Sequence, residues 1–175
     1  MRPPSILLCC LLTAWACHAP PARADLVTEV HTRIAKGDLE GALRSADAAL
    51  AANPRDAQSR FLHALVLMDL QRNAQALAAF ERLSQEYPEL PEPFNNIALL
   101  HAREGRLELA RQALGAALRN DPGHRAARIN LGEVHLMLAV QAWEQASAGG
   151  PLEPRVARRL DAARALLSAT PSAPR

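Results

Sequence analysis

The sequence predicts an all-α fold, a solenoid of helix pairs stacked side by side, and three observations predict it. Pro54, Pro88 and Pro122 recur at a fixed interval of 34 residues. Each follows, by 12 positions, a small residue at which two helices can approach closely: Ala42, Ala76 and Ala110. Between these marks the apolar residues run at helical spacing, in blocks ended by Gly, Asn or Pro. A period of this length means units that cannot bury their apolar faces alone and so must stack on their neighbours.

Ahead of the first unit, Met1 to Ala24 reads as an export segment. Arg2 supplies a short positive region, Ile6 to Cys17 is apolar apart from Thr13, and Pro20 and Pro21 precede an A-x-A site at Ala22-Arg23-Ala24. The expected cut follows Ala24. The apolar run is short of the roughly 20 residues that cross a bilayer, so a cleaved signal is expected, with no integral span afterwards and a periplasmic or secreted product. Lipid attachment at Cys17 is the competing reading, and Ala14-Trp15-Ala16-Cys17 fits it poorly because it lacks the usual Leu and places a bulky ring beside the site. All three cysteines lie in the segment, so the mature chain has none and its stability must come from packing.

The expected helices follow the repeat: 26–36 and 39–52, then 57–70 and 73–86, then 92–104 and 107–119. Gly37 and Gly105 take the same place in the first and third pairs, where a left-handed residue ends the first helix, and Asn73 is expected in the corresponding turn of the second. Asn53-Pro54, Tyr87-Pro88 and Asp121-Pro122 then break the chain between units, because proline cannot continue a helix and restrains the residue before it. The fourth unit departs from this plan. The residues equivalent to Glu104-Gly105-Arg106-Leu107-Glu108 are missing, while Ala139 and Pro151 keep the later spacing of 12. Those residues were the turn. Only Gly132 interrupts residues 125–148, and one Gly costs about 1 kcal/mol without ending a helix, so one continuous helix of roughly 36 Å is expected. Gly149-Gly150-Pro151 then turns the chain into a capping helix over 153–168. Residues 170–175 are expected to be a disordered tail.

The pattern resembles the tetratricopeptide repeat (TPR) family, W-x2-L-G-x2-Y…A-x3-F…P. In 91–124 Phe94, Ile97, Ala98 and His101 take the Trp, Leu, Gly and Tyr places, and Ala110, Leu114 and Pro122 complete the unit. Residues 57–90 match through Ala64, Ala76, Phe80 and Pro88; residues 23–56 match through Leu26, Ala42, Ala46, Ala49 and Pro54; 125–151 is the degenerate fourth unit. The resemblance implies about three and a half helix-turn-helix units, in a domain over 25–169 that follows the signal.

It also implies a concave groove lined by the first helix of each unit. The positions that resemble the family's ligand-facing ones include Val27, His31 and Ile34 in the first unit and Ile129 in the fourth. The expected peptide-binding groove is Phe61, Leu65, Met68, Asn95, Asn96, Leu99, Arg103, Asn130 and Glu133, apolar at its start and polar at its end. The family's carboxylate clamp for peptide C-termini is not reproduced by Arg103 alone.

Chemistry is otherwise sparse. The six histidines make no H-E-x-x-H or Cys-paired spacing, and no nucleophile has an identifiable base, so neither catalytic residues nor a metal or other cofactor is expected. His101 and His135, at the family's Tyr position, are expected to pack between helices with one nitrogen satisfied. Loss of Arg2 and Arg23 with the signal leaves 18 basic against 18 acidic residues, which argues against nucleic acid as ligand. The local cluster Arg155, Arg158, Arg159 and Arg164 reads as the solvated side of the capping helix. A non-enzymatic interaction scaffold or assembly factor of the cell envelope is therefore expected, with a protein or peptide partner. Two alternatives stand beside it: an accessory subunit of an envelope enzyme, for example one acting on peptidoglycan, and a structural homo-oligomer joined through Trp143.

Overall fold

A computed structural model of the protein describes residues 23–169. They form α1 (Arg23–Ala35), α2 (Leu39–Ala52), α3 (Ala57–Asp69), α4 (Asn73–Glu86), α5 (Pro91–Arg103), α6 (Leu107–Asn120), α7 (Arg125–Ala148) and α8 (Pro154–Ala169). Among the described residues there is no strand, and no helix is long and apolar enough to cross a membrane. The expected export segment lies almost wholly outside the described residues. The expected cut after Ala24 falls in the first turn of α1. The expected tail over 170–175 is likewise outside them.

The helix starts follow from local chemistry. Asp56 caps α3 by accepting from the Ser59 N–H at 2.9 Å and the Ser59 hydroxyl at 2.6 Å, which satisfies donors that the first turn leaves open. Asp38 does the same for α2 through the Gly41 N–H, and the Nδ1 of His124 accepts from the Ala127 N–H at 3.1 Å to start α7. Three turns inside the units close identically. In each, one N–H reaches a carbonyl five residues back: Asp38 to Arg33 at 3.0 Å, Arg72 to Leu67 at 2.9 Å, Arg106 to His101 at 2.9 Å. That closure demands a left-handed residue just before the donor. Gly37 (φ 75°) and Gly105 (φ 72°) supply it, and in the second unit it is Gln71, at φ 59°. The sequence-based placement of Asn73 in this role is corrected: Asn73 begins α4. Gln71 stands 34 residues from each glycine but is a side chain that rarely takes positive φ.

Successive turns between units are also tied together. The Tyr87 hydroxyl donates to the Arg55 carbonyl at 2.6 Å, and the Asn120 Nδ2 to the Pro88 carbonyl at 2.5 Å. Each bond spans one repeat, joining the turn after one unit to the turn after the next.

Ala42, Ala76 and Ala110 are fully buried, as close helix approach requires. The core runs through the array as three clusters. The first joins Val30, Ala42, Ala46, Leu62 and Val66; the second is built on Ala64, Leu67, Ala76, Phe80, Ile97 and Leu100; the third on Ala98, Ala110, Leu114, Ala117, Ala127 and Val134. A fourth cluster ends the molecule: Val140 of α7 with Leu160 and Ala163 of α8, flanked by Leu136, Trp143, Leu152 and Leu167.

α7 is the continuous helix that the missing turn predicts. It is apolar on two sides. Ala127, Leu131, Val134 and Leu138 join the third cluster, whereas Leu136, Val140 and Trp143 sit about half a turn of the helix away and lie under α8. Glu144 also holds α8 by accepting from Nε and Nη2 of Arg164 at 3.0 and 2.7 Å.

Candidate functional site

The first helices of the units, α1, α3 and α5, and the first half of α7 carry the residues expected to face the groove. The apolar ones at its start are already occupied. Val27 and Ile34 pack on the first cluster, and Leu65 packs on both the first and the second. Phe61 lies against Phe80 in an edge-on pair with ring centroids 5.7 Å apart, and Met68, 8% exposed, is part of the second cluster. Their burial is spent on holding neighbouring units together. His31 beside them is exposed.

The third and fourth units differ. Leu99 of α5 is half-buried and belongs to none of the buried clusters of the described residues. Ile129 of α7 is 48% exposed, one of three large apolar side chains so placed among the described residues. It lies on the same helical stripe as Leu136, Val140 and Trp143, at i, i+7, i+11 and i+14. α8 covers the second half of that stripe and leaves Ile129 bare.

A polar bridge joins the same two helices. The Asn130 Nδ2 donates to the Asn95 Oδ1 at 2.9 Å, joining α7 to α5. Asn95 is 8% exposed and Asn130 half-buried. Among the described residues the Asn95 Nδ2 and the Asn130 Oδ1 engage nothing further, so a donor and an acceptor remain to spare. Arg103 and Glu133 stand exposed on the same two helices.

Asn96 is not part of this bridge. It is buried, and its Nδ2 donates to the Glu92 carbonyl of its own helix at 2.9 Å. The repeat makes Asn96 and Asn130 equivalent, and equivalent residues on parallel helices point the same way without facing one another. The facing pair, Asn95 and Asn130, is offset by one residue more than the period, so the repeat alone conceals it. The gradient also changes: the apolar groove residues outside the buried clusters, Leu99 and Ile129, are in the third and fourth units.

The histidines separate into distinct environments. His135 is exposed, so its expected packing between helices is corrected, whereas His101 is 8% exposed with its Nδ1 lacking a partner. His63 sits 3.3 Å from Asp47; burial pushes its pKa down and the Asp47 carboxylate partly opposes that. A shallow depression of about 470 Å³ opens between α2, α3 and α4, bordered by Asp47, His63, Arg72 and Arg82. Arg72 is paired with Glu40 at 2.7 Å and Asp47 with His63, so most of its charges are already matched. No group of three or more His, Cys, Asp or Glu among the described residues is placed to hold a metal.

The tetratricopeptide repeat family model matches residues 27–91 and 95–174, and the chain belongs to that family. Solved structures share the fold at low identity. The first TPR domain of human RPAP3 matches with a TM-score of 0.63 at 16% identity, over 69% of this chain and 95% of that one. The first TPR of Spaghetti (RPAP3), bound to the HSP90 peptide SRMEEVD, matches with a TM-score of 0.61 at 15% identity, over 69% and 96%. A tetratricopeptide repeat protein from Parabacteroides merdae matches with a TM-score of 0.63 at 18% identity, over 86% and 61%. No curated protein matches the sequence significantly.

Proposed function

We propose that the protein is a non-catalytic interaction scaffold that captures an extended peptide or a partner's extended segment against α5 and the first half of α7. The observation that carries this reading is the Asn95–Asn130 bridge, with a donor and an acceptor to spare, joining the two helices that also carry the unclustered Leu99 and the exposed Ile129. A main-chain amide offers the complementary acceptor and donor, and Leu99, outside every buried cluster of the described residues, suits a ligand that buries an apolar side chain of its own. Proteins of the same fold whose structures hold a bound peptide support a peptide-binding role. The Spaghetti ligand is acidic. Here Arg103 is the one basic side chain among the expected groove residues of α5 and α7, so an apolar segment suits the groove better than an acidic C-terminus. The expected signal over residues 1–24 supports a role in the cell envelope.

The test is affinity capture after crosslinking, from a fractionated source cell, with the parent, Asn95→Ala/Asn130→Ala and Arg82→Ala compared. Partner recovery is expected to fall at least tenfold for the double variant and to hold for Arg82→Ala, with similar melting curves for all three. Equal recovery from the double variant contradicts the groove. Mass measurement of the exported chain checks the cut after Ala24.

A further inference from the structure

His101 is a buried side chain that the groove does not use. It takes the place of the family's Tyr, near the end of α5, and its carbonyl closes the turn to α6 by accepting from Arg106 N–H. The ring is 8% exposed and its Nδ1 has no hydrogen-bond partner. With the ring proton on Nε2, Nδ1 is only an unfilled acceptor. Taking up a second proton converts it into a charged N–H donor that is buried and unanswered, a far costlier state. The charges around it have both signs. Arg106, at the start of α6, repels a positive ring, while Glu81 of α4 and Glu104 of the turn attract one. Glu104 is itself ion-paired with Arg106, which weakens its help. α7 meets α5 at the Asn95–Asn130 bond, six residues back along the helix from His101.

We propose that His101 is an acid-sensitive latch of the third unit: proton uptake at Nδ1 puts an unbonded charge between α4, α5 and α6 and loosens their packing. Burial first, and Arg106 second, hold the imidazole pKa below its ordinary value, which agrees with this geometry. The sign follows. An unfolded chain binds the proton at an ordinary histidine pKa and the folded chain resists it, so stability is complete above about pH 6.5 and falls as the pH drops through that value. α5 also carries Asn95, Leu99 and Arg103, so loosening it would weaken ligand capture. That consequence rests on the groove reading, whereas the latch does not.

The measurement is thermal and urea unfolding of the parent at pH 7.5 and 5.5, beside His101→Gln, His101→Tyr and His63→Gln, together with NMR titration of the parent's imidazoles. The carboxylates held low, Glu29 and Glu86 by their arginine partners and Asp38 first by the Gly41 N–H and then by Arg33, titrate below this window. His63 is also held low by burial, but Asp47 stands beside it to receive a proton-bearing ring. The His101 contribution should lower the parent's folding equilibrium by up to about tenfold across the two pH units. Both His101 variants should lose most of that fall, His63→Gln a smaller part, and His101 should titrate below the ordinary histidine value. If His101→Tyr fails to fold, His101→Gln and the parent's titration still decide. An ordinary or raised His101 pKa overturns the latch, as does an undiminished acid response in His101→Gln or a response abolished by His63→Gln alone.

Discussion

The three regular units and the end of the array use the same repeat to opposite effect. In α1 to α6 a left-handed residue folds each second helix back onto its first, so every helix spends one apolar face on its own unit and its neighbours. In α7 that turn is missing. The two halves stay collinear, the apolar residues fall on opposite sides, and α8 arrives to cover the second of them. Deleting one turn therefore stops the array and leaves the start of the stripe, Ile129, uncovered. The end of the array and an uncovered apolar residue come from the same change.

The comparison breaks first at Ala110, which is fully buried where α6 meets its neighbours. Ala110→Glu must either clash or bury an unpaired carboxylate, and a loss of about 4 kcal/mol or more is expected, enough to unfold several units together. A circular dichroism melt like the parent's would show that the close approach is not there.

Truncation after Gly150 comes next. It removes Leu160, Ala163 and Leu167 from the fourth cluster, at a cost of about 2–4 kcal/mol, and uncovers Trp143, the only tryptophan left once the export segment is gone. The expected signs are red-shifted emission and self-association at concentrations where the longer chain is monomeric. Unchanged emission and sedimentation would place the ring under something other than α8.

Glycine substitutions sharpen the contrast directly. Gly105→Ala forces a Cβ into φ 72° and should cost about 1 kcal/mol, whereas Gly132→Ala, in mid-helix with nothing within 4 Å of the new carbon, should gain about as much. Gln71→Gly belongs with the first and should stabilise by about 0.5 kcal/mol. Denaturant midpoints of the three measure both signs, and a stabilising Gly105→Ala would remove the turn from the account. A comparably small effect is expected from Tyr87→Phe, which deletes one exposed bond between turns and should cost about 0.5 kcal/mol by the same measurement.

Much of the fold was legible because a period repeats its evidence. Pro54, Pro88 and Pro122 mark three breaks, the alanines 12 residues before them mark three contacts, and the missing five residues predict α7 by subtraction. Gln71 escaped because its backbone is set by the turn's hydrogen bonds and not by its side chain. The ties from Tyr87 and Asn120 escaped because each joins non-equivalent positions. The site was harder for a related reason. A first-helix position that faces the groove in one unit can be spent on packing in another, and Met68 and Leu99 have the same character until their neighbours are known. Asn95 and Asn130 meet across a stagger that no single helix displays.

The claim that a partner lies against α5 and the start of α7 is tested most directly by placing a photo-crosslinking amino acid at Leu99 and, separately, at Ala78, an exposed residue beside the depression between α2, α3 and α4. Illumination in the source cell should yield a discrete crosslinked band from position 99, lost in the Asn95→Ala/Asn130→Ala background, and none from position 78. A band from position 78 with none from position 99 would contradict the account.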